Sequence, residues 1–182
     1  MKKYPSNQER TDEYLKLFDR EKTLKKIVSD YDPIIFDVGA NNGRSLNEFK
    51  VWWPKSEVHC FEPQEECWED LESSASRHNQ TYINKSAISV NESVINFYAH
   101  DISTGLGGCN KINIDSTDSI YLNQLKGQGN EVISAYTSTI NKPRTVPSLR
   151  IDSYMDKNGL MYVDLLKIDT QGHEPEVLES IG

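Results

Sequence analysis

Ile34-Ile35-Phe36-Asp37-Val38-Gly39-Ala40-Asn41-Asn42-Gly43 is the stretch on which the fold turns. Ile34, Ile35, Phe36 and Val38 are β-prone and enclose one acidic residue; the turn after them opens on one glycine and closes on another. Ser45 through Trp53 then carries a helical pattern. A buried strand, a tight glycine turn and a helix N-terminus are the parts of a small-molecule cofactor cradle. Helix N-terminal N–H groups and the missing Cβ of glycine let a ligand come close to the backbone.

Upstream, Asp30-Tyr31-Asp32-Pro33 breaks the chain before this strand. Residues 7–29 are charged and helical in pattern, with Tyr14, Leu17, Phe18, Leu24, Ile27 and Val28 on one face. The expectation is a helical extension over residues 1–30 packed on a main domain over 31–182. Downstream, a helix from Gly43 to Trp53 turns Leu46, Phe49 and Trp53 toward the sheet and stops at Pro54. Glu57–Phe61 reads as the second strand and delivers Glu62-Pro63. A helix from Gln64 to Arg77 follows, with Cys67 or Trp68, Leu71 and Ala75 inward, and Thr81–Ile88 reads as the third strand. Strand, helix, strand, helix, strand in that order means right-handed crossovers and a parallel sheet.

The alternation then lapses. Val94–Tyr98 reads as an added strand, and residues 101–130 are polar and glycine-rich. Thr104-Gly105-Leu106-Gly107-Gly108 lacks the Gly-Lys-Ser/Thr of a phosphate loop and reads as a flexible loop on the acceptor side. Glu131–Tyr136 and Val146–Ile151 read as strands, the second leading into a short helix over 152–157. Met161–Ile168 reads as a central strand ending in Asp169-Thr170-Gln171-Gly172-His173-Glu174. Pro175 opens a final helix with Val177 and Leu178 inward. The expected architecture is a doubly wound, Rossmann-like α/β sheet with strand order 3-2-1-4.

Bulk properties agree with one globular domain. The chain has 182 residues, 36% of them hydrophobic and 26% charged. A net charge of −8 speaks against general affinity for nucleic acid or anionic membrane. No apolar run reaches the length of a membrane span, and Met1-Lys2-Lys3-Tyr4-Pro5-Ser6 precedes no apolar signal region. Cys60, Cys67 and Cys109 show no close-paired spacing, so reduced cysteines, no metal site and a cytoplasmic compartment are expected.

Glu62 lies 23 residues after Gly39, the place from which a carboxylate grips the hydroxyls of a ribose. That spacing alone leaves a dinucleotide and S-adenosylmethionine both open. Dinucleotide cradles put a glycine where this turn has Asn41, and Asp37 would repel a pyrophosphate while suiting a ligand with an ammonium group. S-adenosylmethionine carries an ammonium and a sulfonium, and it is favoured. The rivals are a nicotinamide-dependent oxidoreductase, disfavoured by Asn41 and Asp37, and a non-catalytic module binding a cofactor or partner.

Asp169 stands at the C-terminal end of the central strand, where open α/β sheets place their ligands. It is a candidate to orient an acceptor hydroxyl, take its proton or hold a cation. His173 is a candidate base, since its unperturbed pKa is near neutrality; the competing reading is a histidine that caps the last helix or faces solvent. Glu174 reads equally as a first-turn helix charge. Lys167 shares a strand face with Asp169 by period two, which reads as an ion pair steadying the site ahead of a catalytic lysine. His59, His78 and His100 read as structural or solvated, and Trp52, Trp53 and Trp68 as core.

Five segments in series carry a resemblance: residues 36–43; Phe61-Glu62-Pro63; Asn84-Lys85-Ser86-Ala87-Ile88-Ser89; Leu149-Arg150-Ile151-Asp152-Ser153-Tyr154; and residues 164–174. In this order they resemble the FkbM family of class I S-adenosylmethionine-dependent methyltransferases, over about residues 31–182. The resemblance implies O-methylation of hydroxyls on sugars, polyketides or related small molecules, with S-adenosyl-L-methionine as methyl donor and neither nucleic acid nor membrane as partner. By it, Asp37, Gly39, Ala40, Asn41 and Gly43 shape the methionine end of the cofactor site, Glu62 binds the ribose, and Ser86 and Ala87 line the adenine. From the residues themselves, Asp169, His173 and Lys167 are the candidate catalytic group, with no metal. Gln171 stands where many relatives have Glu, and the family fold continues through further strands after residue 182.

Overall fold

The computed structural model describes residues 7–28, 32–99, 104–111 and 143–182. Two helices come first, α1 (Asn7–Leu17) and α2 (Arg20–Ile27). The single helix expected over 7–29 is broken because Asp19 leaves the helical region and its carboxylate accepts from Lys22 N at 2.9 Å, capping α2. Its apolar face is split as well. Leu24 and Val28 reach the core, whereas Tyr14, Leu17 and Ile27 are exposed.

The expected strand-helix alternation follows. β1 (Ile34–Val38), α3 (Arg44–Trp52), β2 (Glu57–Phe61), α4 (Trp68–Ala75) and β3 (Thr81–Asn84) run in order, and β7 (Leu165–Ile168) flanks β1 on its other side. All pairings are parallel, and the order is β3-β2-β1-β7, as expected. The register sets Val38 beside Phe61 and Ile168, so three strand ends open on one edge. Both faces of β1 are covered, which is why its apolar residues do not alternate with polar ones. Ile35 packs with Leu46, Phe49, Trp53 and Val58; Phe36 and Val38 pack on the other side with Phe61, Ile151, Tyr154 and Val177. Phe36, Phe49 and Phe61 are fully buried, each worth about 2–3 kcal/mol. Beneath α3, the buried Lys50 amine donates to the carbonyls of Ser56, Asn79 and Gln80 and ties two loops to the helix.

The run expected as one strand over 81–88 serves two sheets. β3 ends at Asn84, and β4 (Ala87–Ile88) joins a second sheet with β5 (Ser93–Tyr98) and β6 (Pro143–Leu149), in the order β4-β6-β5. α5 (Ile151–Asn158) and α6 (Glu174–Glu179) complete the described residues. α4 is shorter than expected and is preceded by a single 3₁₀ turn, with Cys67 rather than Trp68 fully inward. β7 is also shorter: Met161 and Tyr162 are exposed, and Leu178 of α6 faces out. The strand expected at Glu131–Tyr136 and the residue His100 lie outside the described residues. No helix among the described residues is long and apolar enough to cross a membrane.

Candidate active site

A cleft of about 560 Å³, counting its open mouth, lies at the edge where β1, β2 and β7 end. Its walls are the turn after β1, the end of β2, the second sheet, and the loop from β7 to α6.

The turn is a backbone construction. Gly39, Asn41 and Gly43 all have positive φ, at 77°, 49° and 83°. A Cβ on Gly39 would lie 2.0 Å from the carbonyl oxygen of Asp169, and Asp169 N donates to Val38 O at 3.0 Å. Gly39 therefore lets the ends of β1 and β7 touch. Asn41 takes a left-handed backbone, a conformation asparagine tolerates. Its side chain takes on further work: Oδ1 accepts from Asn42 N at 2.9 Å and from Thr104 Oγ1 at 3.2 Å. Thr104–Leu106, expected as acceptor-side loop, is a 3₁₀ turn fastened to the glycine turn.

Glu62 sits at the cleft wall, only 5% exposed. One carboxylate oxygen accepts from Asn41 N at 2.8 Å and the other from Gln64 N at 2.7 Å. Each oxygen keeps a further lone pair. Burial pushes its carboxyl above the usual range, against the pull of these two N–H groups.

Asp37 is elsewhere. Its carboxylate is completely buried and is not part of the cleft wall. The β1–β7 register puts it opposite Lys167, whose Nζ lies 3.0 Å from Asp37 Oδ1 and donates to Gly39 O at 2.7 Å. Period two alone places Lys167 beside Asp169; pairing across the strands places it under the turn as a strut. Burial raises the Asp37 pKa, and Lys167 opposes the rise. Ala40, Gly43, Ser86 and Lys167 likewise lie off the wall. Ala87 and Ile88 are on it, with Phe61 and Phe97, as an apolar part of the wall. The Ser86 hydroxyl is buried and, among the described residues, has no hydrogen-bond partner.

The far wall comes from residues 169–173. Asp169 is exposed to the cleft, and its Oδ1 accepts from Gln171 Nε2 at 3.0 Å. Glu174 does not face the cleft: Oε1 accepts from Thr170 N and Gly172 N at 3.0 and 3.2 Å and fixes the loop. Burial alone would raise its carboxyl; these backbone donors outweigh it and hold the pKa low. His173 is buried and lines the cleft, with Nε2 3.1 Å from Ser89 Oγ and Nδ1 3.4 Å from Glu176 Oε2. It occupies the N-cap position of α6 without a side-chain capping bond.

Several wall residues carry no clear sequence signal. Gln64 is 1% exposed and packs its Oε1 against Gly107, where a Cβ would come within 2.3 Å. Cys109 shares the wall, and burial pushes its thiol up to about 12. The structural histidines are as expected: His59 is bonded to Tyr154 Oη and Glu57, and His78 to Asn47. Among the described residues, no group of three His, Cys, Asp or Glu side chains is placed to hold a metal ion.

Comparison with known proteins follows the same lines. The family model described as Methyltransferase FkbM domain matches residues 37–182. The 2-O-methyltransferase NoeI of Sinorhizobium fredii is 24% identical over 147 residues, which are 81% of this chain and 56% of that protein. The chain thus spans about half the length of this curated relative. Among solved structures, the methyltransferase FkbM from Methylobacillus flagellatus KT aligns with a TM-score of 0.48 and 15% identity, over 82% of this chain and 29% of that one. An antibiotic-related methyltransferase aligns with a TM-score of 0.26 and 13% identity, over 38% of each chain.

Proposed function

We propose that this chain, which belongs to the FkbM methyltransferase family, binds S-adenosyl-L-methionine in the cleft and methylates a hydroxyl of a small molecule or sugar. One observation carries the cofactor assignment: the Glu62 carboxylate stands on the wall, fastened to the glycine turn through Asn41 N. Its remaining lone pairs suit the two hydroxyls of a ribose. The residues present fit the group. Gly39 and Asn41 would hold the methionine end, Glu62 the ribose, and Ala87, Ile88, Phe61 and Phe97 the adenine. When bound, the cofactor supplies an electrophilic methyl on a sulfonium.

The chain's own part is placement and proton removal. The Asp37–Lys167 pair stiffens the turn from beneath through the Gly39 carbonyl. Asp169 orients the acceptor hydroxyl, and His173 takes its proton, since an alcohol attacks well only as its O–H weakens. O-methylation is supported by one distant relative named as a 2-O-methyltransferase.

Calorimetric titration with S-adenosylhomocysteine, NAD and NADP tests this reading. S-adenosylhomocysteine is expected to bind and the two dinucleotides not, with Glu62→Ala weakening binding roughly tenfold or more. Binding of NAD without S-adenosylhomocysteine would overturn it in favour of an oxidoreductase.

A further inference from the structure

His173 is held at both ring nitrogens by partners that nothing in the chain's local pattern announces. Nδ1 faces Glu176 Oε2 at 3.4 Å, one helical turn along α6, and Nε2 faces Ser89 Oγ at 3.1 Å, from the residue after β4. Glu176 Oε2 is buried and makes no hydrogen bond; the imidazole Nδ1 stands at ion-pair distance from it, and its charge also acts on the Cys109 thiol. The other titratable groups on the cleft wall are Cys109, Asp169 and Glu62. Cys109 is neutral at working pH, with its thiol at about 12, which leaves the carboxylates as the charges around the ring.

We propose that Glu176 and Ser89 clamp His173 in the tautomer with the proton on Nδ1 and the lone pair on Nε2, making Glu176 a positioning residue for proton removal. The assignment rests on the reading of His173 as the base. A carboxylate accepts only, so it selects the Nδ1–H form, and Nε2 is then an acceptor for the serine hydroxyl. Serine can serve both protonation states, donating to neutral Nε2 and accepting from Nε2–H. In the step, the acceptor's proton passes to Nε2 of the His173 ring that lines the cleft, and the Ser89 hydroxyl turns from donating to Nε2 to accepting from Nε2–H. The serine is unchanged, the acceptor oxygen keeps the electron pair of its O–H bond, and the imidazolium faces Glu176 until solvent removes the proton.

The imidazole nitrogens of ¹⁵N-histidine-labelled protein report the tautomer directly, with His173→Gln identifying the signal. The expected result is the Nδ1–H form in the native chain, retained in Glu176→Gln, whose amide oxygen can still accept, and a mixture of tautomers in Glu176→Ala. Turnover should follow, with kcat down about tenfold in Glu176→Ala, largely restored in Glu176→Gln, and S-adenosylhomocysteine affinity unchanged. An Nε2–H form in the native chain, or a tautomer indifferent to Glu176→Ala, overturns the clamp. A clamp that is present while His173→Ala turns over normally overturns its role in proton removal. The tautomer result does not depend on whether S-adenosylhomocysteine binds, which tests the cofactor assignment by itself.

Discussion

The two walls of the cleft are built from different materials. On one side, the Gly39–Gly43 turn is shaped by backbone: three positive φ values, parallel strands in register, and a carboxylate bonded to main-chain N–H groups. On the other, the loop from Asp169 to His173 is shaped by side chains, with Glu174 bonded across its amides and His173 set between Ser89 and Glu176. A backbone wall is specified by residues near one another in sequence. A side-chain wall depends on partners that folding brings in from far away, so the two sides should respond to different kinds of mutation.

The backbone side breaks hardest at Gly39. Gly39→Ala combines a positive φ with a Cβ placed 2.0 Å from a carbonyl oxygen, so a loss of about 3 kcal/mol or more is expected in chemical denaturation. Gly159, at φ 67° with nothing within 4 Å, is the control and should cost only about 1 kcal/mol as Ala. Equal losses at both sites would show that the contact between β1 and β7 ends is not the constraint.

Lys167→Met should come next, at about 2 kcal/mol at neutral pH, because it strips Asp37 of its counter-charge while Lys167's own partial exposure limits the loss. Burial already holds the folded Asp37 pKa above its ordinary value. A carboxyl raised in the folded state favours the fold at low pH and loses that advantage as pH rises through its folded pKa. The deficit of Lys167→Met should therefore shrink as pH falls to the ordinary carboxylate range, and Asp37→Asn should flatten that dependence. A deficit constant with pH would place the lost stability elsewhere.

Glu62→Gln keeps the outline, removes the charge and sets an amide NH2 against one of the two backbone N–H donors; S-adenosylhomocysteine affinity should fall about tenfold, with about 1 kcal/mol or more of stability lost. The smallest effect belongs to the Asp169–His173 side. Glu174→Ala should cost about 1 kcal/mol of stability and leave S-adenosylhomocysteine affinity within about twofold. Its carboxyl is held low in the fold, so this contribution is complete above the ordinary glutamate pKa and is lost as pH falls through the lowered value. A large change in cofactor affinity would mean the two walls are one unit.

What the sequence shows of this molecule follows the same division. The strand order, the turn and Glu62 are legible because each depends on short-range pattern: apolar runs, glycine spacing, a carboxylate at the next strand end. Lys167 is misplaced by pattern alone, since period two names the face of a strand and not the neighbour across it. Asp37 is found as important and given the wrong surroundings, for burial is a property of three layers of chain and not of one segment. Ser89 and Glu176 are missed altogether. Ser89 lies 84 residues from His173, and its hydroxyl is one of many. Asn41 is read as a lost glycine, whereas its backbone takes a left-handed conformation and its side chain fastens Thr104.

The passage from β3 to β4 has a consequence for how this chain tolerates changes of length. Lys85 and Ser86 are all that separates the last strand of the four-stranded sheet from the first of the second sheet. Lys85 is exposed, paired with Glu72 and laid over Trp68; Ser86 is buried. Adding or deleting one residue at this joint would leave β3 beside β2 and turn Ala87 and Ile88 to the opposite faces, taking the apolar wall out of the cleft. The joint works as a spacer of fixed count. A replacement at Lys85 is absorbed at the surface, whereas a one-residue insertion dismantles the wall.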